Sequence, residues 1–212
     1  MGLLNYMALV KHNNNSISAV TSMASLTTGS MTLISEQTAS ASASISFTNG
    51  IDSTYPIYKF EFINIHPSAS RPEFSFNLST NSGSSYGVTK TSTAFYSQHG
   101  ENDSGGSLAY DSSSDLAQST SAQHIAWNLS NDNEASISGN MYLFNPSSTT
   151  FVKHYMTELQ FQYDSSGGDP NSYIYYIAGY ANTTSAINGI KYLYNSGNID
   201  SGTIKLYGIK DS

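Results

Sequence analysis

Tyrosine is the residue type in this sequence that most clearly suggests a binding chemistry. The chain contains 16 Tyr, and several of them crowd its last third. Tyrosine rings can stack on sugar faces while their hydroxyl groups hydrogen-bond to sugar oxygens. The same side chain suits strands and subunit interfaces, because it packs its ring and keeps its hydroxyl in water. We favour the interface interpretation and keep carbohydrate binding as an alternative, whose candidate ligand-binding residues are Tyr173, Tyr175, Tyr176 and Tyr180.

Carboxylates are the second group that could act in catalysis. A glycosidase places two of them across a cleft, and Glu61 could serve with Glu73 or Glu158. Lys59 lies on the same side of its predicted strand as Glu61, however, so a surface ion pair is the preferred interpretation. The G-x-S-x-G motif of a serine hydrolase does not occur in the sequence. We therefore predict no catalytic residues, and keep a polysaccharide-degrading enzyme as a further alternative.

The residues that could bind a metal are scattered along the chain. The five histidines are His12, His66, His99, His124 and His154. They form no HxH or HExxH motif, and the chain has no Cys. The acidic residues of the middle loops are Glu101, Asp103, Asp111, Asp115, Asp132 and Glu134. Their spacing lacks the D-x-D-x-D-G pattern of a calcium loop. We interpret them as solvated loop charges and predict no metal and no cofactor; whether an acidic loop holds calcium stays open.

Composition excludes several classes of protein. The chain has 212 residues with 11% charged side chains and a net charge of −7. Its eight basic residues are not clustered, so we predict no binding to nucleic acid, which requires several Lys or Arg on one face. No segment approaches the roughly 18 apolar residues of a membrane-spanning helix, and the N-terminus lacks the basic region of a signal peptide. We therefore expect neither membrane insertion nor export.

Alternation of apolar and polar residues predicts an all-β fold. Phe74, Phe76 and Leu78, for example, alternate with polar neighbours, as on a half-buried strand. The predicted strands lie at 43–48, 58–66, 74–79, 86–96, 124–129, 137–144, 151–163, 173–180, 187–194 and 203–209. Residues 98–119 are predicted to form a long loop, and Trp127 is predicted to be buried. About ten strands separated by turn residues favour a single jelly-roll or lectin-like β-sandwich over residues 31–212.

Residues 1–30 have a different composition and are predicted to form an extended N-terminal arm. A short apolar start gives way to an Asn-rich and then a Ser/Thr-rich tract, which cannot build a core of its own. Apolar residues left in water would favour association. We therefore predict that the arm docks onto a neighbouring subunit or the particle, through Leu3, Leu4, Tyr6, Met7, Leu9 and Val10.

The run from Met31 to Ala69, MTLISEQTASASASISFTNGIDSTYPIYKFEFINIHPSA, resembles a family of small virion structural proteins of marine tailed phages, which infect cyanobacteria and pelagic bacteria. The opening MGLLNYMALV is similar to the N-terminus of that family. Further segments that resemble it are Leu108–Ser121, Leu143–Tyr155, Ala178–Tyr192 and Ser196–Lys210. Residues 83–106 and 156–174 match less closely.

The resemblance implies a building block of the virion, in a fibre, a tail appendage or a capsid decoration. It implies a jelly-roll or lectin-like sandwich, assembly in the host cytoplasm and no catalytic residues. The expected partners are other copies of the chain, in a trimer, and other virion proteins, with a host surface glycan as an alternative ligand. We expect the Ser, Thr and Asn faces of the sandwich to contact water and neighbouring subunits, since ordering these short side chains costs little entropy.

Overall fold

The structure is a computed structural model that describes residues 30–164 and 170–210. In these ranges the chain forms twelve strands and no helix. They are β1 (Met31–Thr38), β2 (Ile45–Phe47), β3 (Ile57–Pro67), β4 (Phe74–Ser79), β5 (Lys90–Gly100), β6 (Ser107–Tyr110), β7 (Gln123–Ala126), β8 (Ile137–Phe144), β9 (Lys153–Tyr163), β10 (Asn171–Ala181), β11 (Gly189–Tyr194) and β12 (Ile199–Ile209). Along β9, buried Tyr155, Thr157 and Leu159 alternate with exposed neighbours, as the period of two requires.

The strands form two antiparallel sheets. The large sheet has the order β1-β12-β3-β8-β9-β10-β5-β6, and the small sheet has the order β2-β11-β4-β7. The apolar faces of the two sheets pack against each other and enclose one continuous core. The predicted all-β sandwich is confirmed.

Tyr192 of β11 lies at the centre of the core and is fully buried. Edge-to-face and stacked aromatic pairs of this kind add to the stability gained from burial alone. The centroid of the Tyr192 ring lies between 5.1 and 6.5 Å from the rings of Phe47, Phe60, Phe62, Phe74 and Phe76.

The structure differs from the predicted strands mainly at the sheet edges. The prediction of a loop over residues 98–119 is wrong in part, because β5 continues to Gly100 and β6 occupies Ser107–Tyr110. β1 and β6 are edge strands without a fully buried residue, so neither has the apolar alternation that reports a core-facing strand. Trp127 is half-buried, with its ring 5.1 Å from that of Tyr163.

The described chain begins at the edge of the large sheet. The carbonyl of Ser30 accepts a hydrogen bond of 2.9 Å from the amide of Lys210, which fixes the position at which the chain enters β1. The predicted arm lies outside the described residues except for Ser30, as do its predicted docking residues Leu3, Leu4, Tyr6, Met7, Leu9 and Val10.

Candidate functional site

The four tyrosines predicted to bind a ligand all lie on β10, where the alternation of the strand divides them between two faces. Tyr173 and Tyr175 point into the core and are 4% and 0% exposed. Tyr176 and Tyr180 lie on the outer face of the large sheet and are half-exposed. The structure therefore does not bring the four residues together, and only Tyr176 and Tyr180 are available to a ligand in solution.

Tyr176 belongs to a row of apolar side chains that crosses the outer face of the large sheet from edge to edge. Residues paired across neighbouring strands share a face. Met31 lies opposite Ile209, which in turn lies opposite Ile57. We name the whole set the apolar band; its members are Met31, Leu33, Ile57, Phe95, Leu108, Tyr110, Tyr142, Phe144, Met156, Tyr176, Tyr207 and Ile209. Seven strand spacings make the band roughly 34 Å wide.

The band is open to solvent in the described structure. Met156 at its centre is 53% exposed and Leu108 at one edge is 73% exposed. The sequence YIYYIAGY in β10 is apolar on both faces, a pattern typical of a strand that is covered on both sides. The small sheet covers the inner face of β10, whereas Ile174, Tyr176 and Ala178 on the outer face remain half-exposed. The outer face is therefore suited to burial against something outside the described residues.

A shallow groove of about 360 Å³ lies at the centre of the band. We name it the central groove. Its apolar lining consists of Ile57, Tyr142, Phe144, Met156, Tyr176 and Ile209. The ring of Tyr176 stacks on Phe95 at 4.9 Å, and Tyr142 stacks on Phe144 at 6.4 Å. The rings of the groove are thus held in place by neighbouring rings.

The few charges next to the band are mostly paired with each other. Lys59 Nζ lies 3.1 Å from a carboxylate oxygen of Glu61, so the predicted ion pair is present. Lys205 Nζ lies 3.3 Å from Glu36, whose hydrogen bond and charge raise the pKa of Lys205. Glu158 beside the groove accepts a long hydrogen bond of 3.4 Å from the Tyr176 hydroxyl. The surface therefore has little net charge that would oppose contact with an apolar partner.

The outer face of the small sheet has a different character. Its side chains are mostly polar and include Ser46, Asn77, His124 and Lys191. Small polar side chains were expected to face neighbouring subunits. The apolar band lies on the opposite side of the sandwich, and which face contacts neighbouring subunits stays a prediction.

The carboxylates considered for glycosidase chemistry do not form a pair across a cleft. Glu61 and Glu158 lie on the open outer face, separated by β8 with Asn140 between them. Glu61 forms an ion pair with Lys59. Glu73 lies elsewhere, next to the small sheet, with an oxygen 3.2 Å from His124 Nε2. No two of these three carboxylates therefore face each other over an enclosed site.

The histidines likewise do not assemble. His66 lies 3.7 Å from Asp200, His99 lies 3.5 Å from Asp103, and His154 faces the ring of Tyr180. His12 lies outside the described residues. Within residues 30–164 and 170–210, no three His, Asp or Glu side chains are grouped closely enough to hold a metal ion.

Asp111 differs from the other acidic residues of the middle loops because it is buried. Its carboxylate accepts hydrogen bonds of 2.5 Å from the hydroxyl groups of Tyr175 and Ser113. Burial is the largest influence on its pKa and favours the neutral form. Hydrogen bonds from Ser113, Tyr175 and Ser114 together outweigh burial and hold the pKa below its ordinary value. The interpretation as a solvated charge is therefore wrong for Asp111, which fastens the segment after β6 to β10.

We expect Asp111→Asn to lower the free energy of unfolding by about 2 kcal/mol at neutral pH, since buried hydrogen bonds to charged groups contribute roughly that much. Because the folded pKa is lowered, this stabilisation is complete above the ordinary pKa of 3.8 and is lost as the pH falls through the folded pKa. Urea unfolding from neutral to strongly acidic pH should show the wild type and the variant converging in acid.

Asp115→Asn is the matched control for this experiment. Asp115 also accepts a hydrogen bond of 2.5 Å from a tyrosine hydroxyl, that of Tyr110, but this pair lies at the surface. We expect a loss below about 0.5 kcal/mol, as for most surface substitutions. Equal losses for the two variants would contradict a special role for the buried carboxylate.

Comparisons with protein-family models, curated proteins and solved structures find no match to this chain. In the part of the chain that the structure describes, no helix has the length and apolar character needed to cross a membrane.

Proposed function

We propose that this chain is a non-enzymatic structural protein of a tailed-phage virion, located in a fibre, a tail appendage or a capsid decoration. In this proposal it acts through contacts between subunits, and the apolar band is a surface for those contacts. The observation that supports it most is the exposure of aromatic, Met and Ile side chains across all eight strands of the large sheet. Continuous exposed apolar surface of this kind marks interaction sites.

The composition of the band supports a protein partner. Subunit interfaces are enriched in Tyr, Phe and Met and depleted of unpaired charge at their centres. The central groove has Tyr142, Tyr176, Phe144 and Met156 in its lining, while the nearby Lys59 and Glu61 neutralise each other. The expected partners are further copies of the chain, three in one assembly, and other virion proteins, with no cofactor required.

We interpret the sandwich as a variant of the jelly roll. Strands β2 to β5 alternate between the small and the large sheet, and β6 to β8 do so again. Strands β8, β9 and β10 then follow one another within the large sheet before β11 returns to the small one. Jelly rolls occur in viral capsid and lectin domains. The topology is therefore compatible with the virion role and with glycan binding, and it does not choose between them.

Analysis of intact particles tests the proposal. We expect mass spectrometry of purified virions of the phage that encodes this chain to find it in several copies per particle. Gold-labelled antibodies against the chain should mark one fixed location on those particles. Detection of the chain only in the infected-cell lysate, with purified particles free of it, would contradict the virion role.

Carbohydrate binding on the virion is the second candidate, and the exposed rings of the large sheet favour it. Tyr176 combines a half-exposed ring with a hydroxyl close to the Glu158 carboxylate, a pairing of apolar and polar groups that suits sugars. Binding on a glycan array that Tyr176→Ala abolishes, with Tyr180→Ala as the comparison, would support it. An array without any bound glycan would count against this candidate and leave the structural role unaffected.

A further inference from the structure

We propose that the central groove binds the N-terminal segment of a neighbouring copy of this chain, through the apolar residues between Leu3 and Val10. This inference rests on the proposed function, in which copies of the chain assemble. It adds to that function by naming the segment and the site that join one copy to the next.

The chemistry of the segment matches that of the groove. Residues 2–10 contain no charged side chain, and six of them are large and apolar: Leu3, Leu4, Tyr6, Met7, Leu9 and Val10. The groove offers aromatic rings and aliphatic side chains, with Glu158 as the charged residue at its rim. Burial of apolar surface on both sides favours association by about 25 cal/mol per Å². A charged or strongly polar segment would be a poor occupant of this groove.

The length of chain before β1 allows the segment to reach the groove of a neighbouring copy. Ser30 directly precedes β1, and Met31 pairs with Ile209, which lines the groove. The centre of the same copy's groove is therefore about three to four strand spacings away, roughly 17 Å. Residues 11–29 reach about 65 Å when extended, which exceeds the roughly 34 Å width of the whole sheet. A linker of this length is far longer than the same copy's groove requires and is sufficient to reach an adjacent copy.

The symmetry of such a contact agrees with the expected trimer. A segment of one copy that binds a different surface of the next makes a heterologous contact, and heterologous contacts close into rings when the rotation allows. Each copy then donates one segment and accepts one. Three such contacts would join a trimer without requiring the outer faces of the sheets to pack directly on each other.

The absence of Cys from the sequence permits a direct test by disulfide cross-linking. Full-length chains with Leu4→Cys are co-expressed with differently tagged full-length chains with Met156→Cys, and the assemblies are oxidised mildly. We expect a covalent product that contains both tags on a non-reducing gel. The matched control replaces Met156→Cys by Phe151→Cys, a residue that is 68% exposed but lies outside the band. We expect roughly tenfold less product from it, since proximity raises the effective concentration only at the groove.

The other outcomes separate this inference from the function on which it rests. A double variant, Leu4→Cys with Met156→Cys, that cross-links only within one chain would show that the segment binds its own groove and would overturn the inference. Equal yields from Met156→Cys and Phe151→Cys would do the same. Oligomers in light scattering without any cross-link would overturn the inference while the proposed function stands, whereas a monomer at micromolar concentration would contradict both.

Discussion

Replacement of Tyr192 with alanine should lower the free energy of unfolding by about 4 kcal/mol, because a large aromatic side chain truncated in a core typically costs 3–5 kcal/mol. Tyr192 is fully buried, and its ring contacts aromatic side chains from both sheets, among them Phe60 of β3 and Phe76 of β4. The cavity would lie between the sheets, where neither can relax without moving the other. Chemical denaturation followed by tryptophan fluorescence measures the loss.

Tyr192→Phe is the matched control because it keeps the ring and removes only the hydroxyl group. That hydroxyl lies 3.4 Å from the sulfur of Met141, which is a weak acceptor. Burial of the hydroxyl raises the pKa of Tyr192 well above its ordinary value, which agrees with a dry environment. We expect Tyr192→Phe to change the stability by less than about 1 kcal/mol. A Tyr192→Ala variant as stable as Tyr192→Phe would contradict the central place given to this ring.

Met156→Glu should weaken self-association of the full-length chain by about 100-fold or more. In the isolated subunit the Met156 side chain is 53% exposed, so a carboxylate there remains in water and should leave the free energy of unfolding nearly unchanged. In an interface that covers the central groove, the same carboxylate would be buried without a partner, which typically costs several kcal/mol, and each 1.4 kcal/mol is a factor of ten. Light scattering over a range of concentrations measures the association, and thermal unfolding measures the fold.

Phe151→Glu is the corresponding control for the surface. Phe151 is 68% exposed, so its substitution removes at least as much exposed apolar surface as the substitution of Met156. It lies before β9 and outside the apolar band. We expect this variant to associate like the wild type. If Met156→Glu and Phe151→Glu behave alike, the band is not the surface on which copies meet.

The strands that could be predicted from the sequence are those with one buried and one open face. β8 occupies Ile137–Phe144, as predicted, and β4 begins at the predicted Phe74. In both, burial of one face imposes a period of two on the sequence. β1 and β6 lie at the sheet edges and have no such constraint, so their sequences resemble those of loops.

The candidate site could be predicted only in part, because it depends on the register between strands that are distant in the sequence. Met31 and Ile209 become neighbours in the band although they lie near opposite ends of the chain. The same holds for the buried contact between Asp111 and Tyr175, which no local pattern indicates. One local signal did point to the band. The apolar residues on both faces of β10, including Tyr176, are typical of a strand covered on both sides, whereas its outer face is half-exposed in the described structure.

The different characters of the two outer faces have a consequence for how far an assembly of copies can grow. One side of the sandwich presents the apolar band, while the other presents mostly Ser, Asn and Lys side chains. A subunit whose band is occupied therefore presents a further copy with a mostly polar outer face, which has little apolar surface to bury. If copies assemble through the band, as proposed, we therefore expect the assembly to stop after a single layer without a separate terminator.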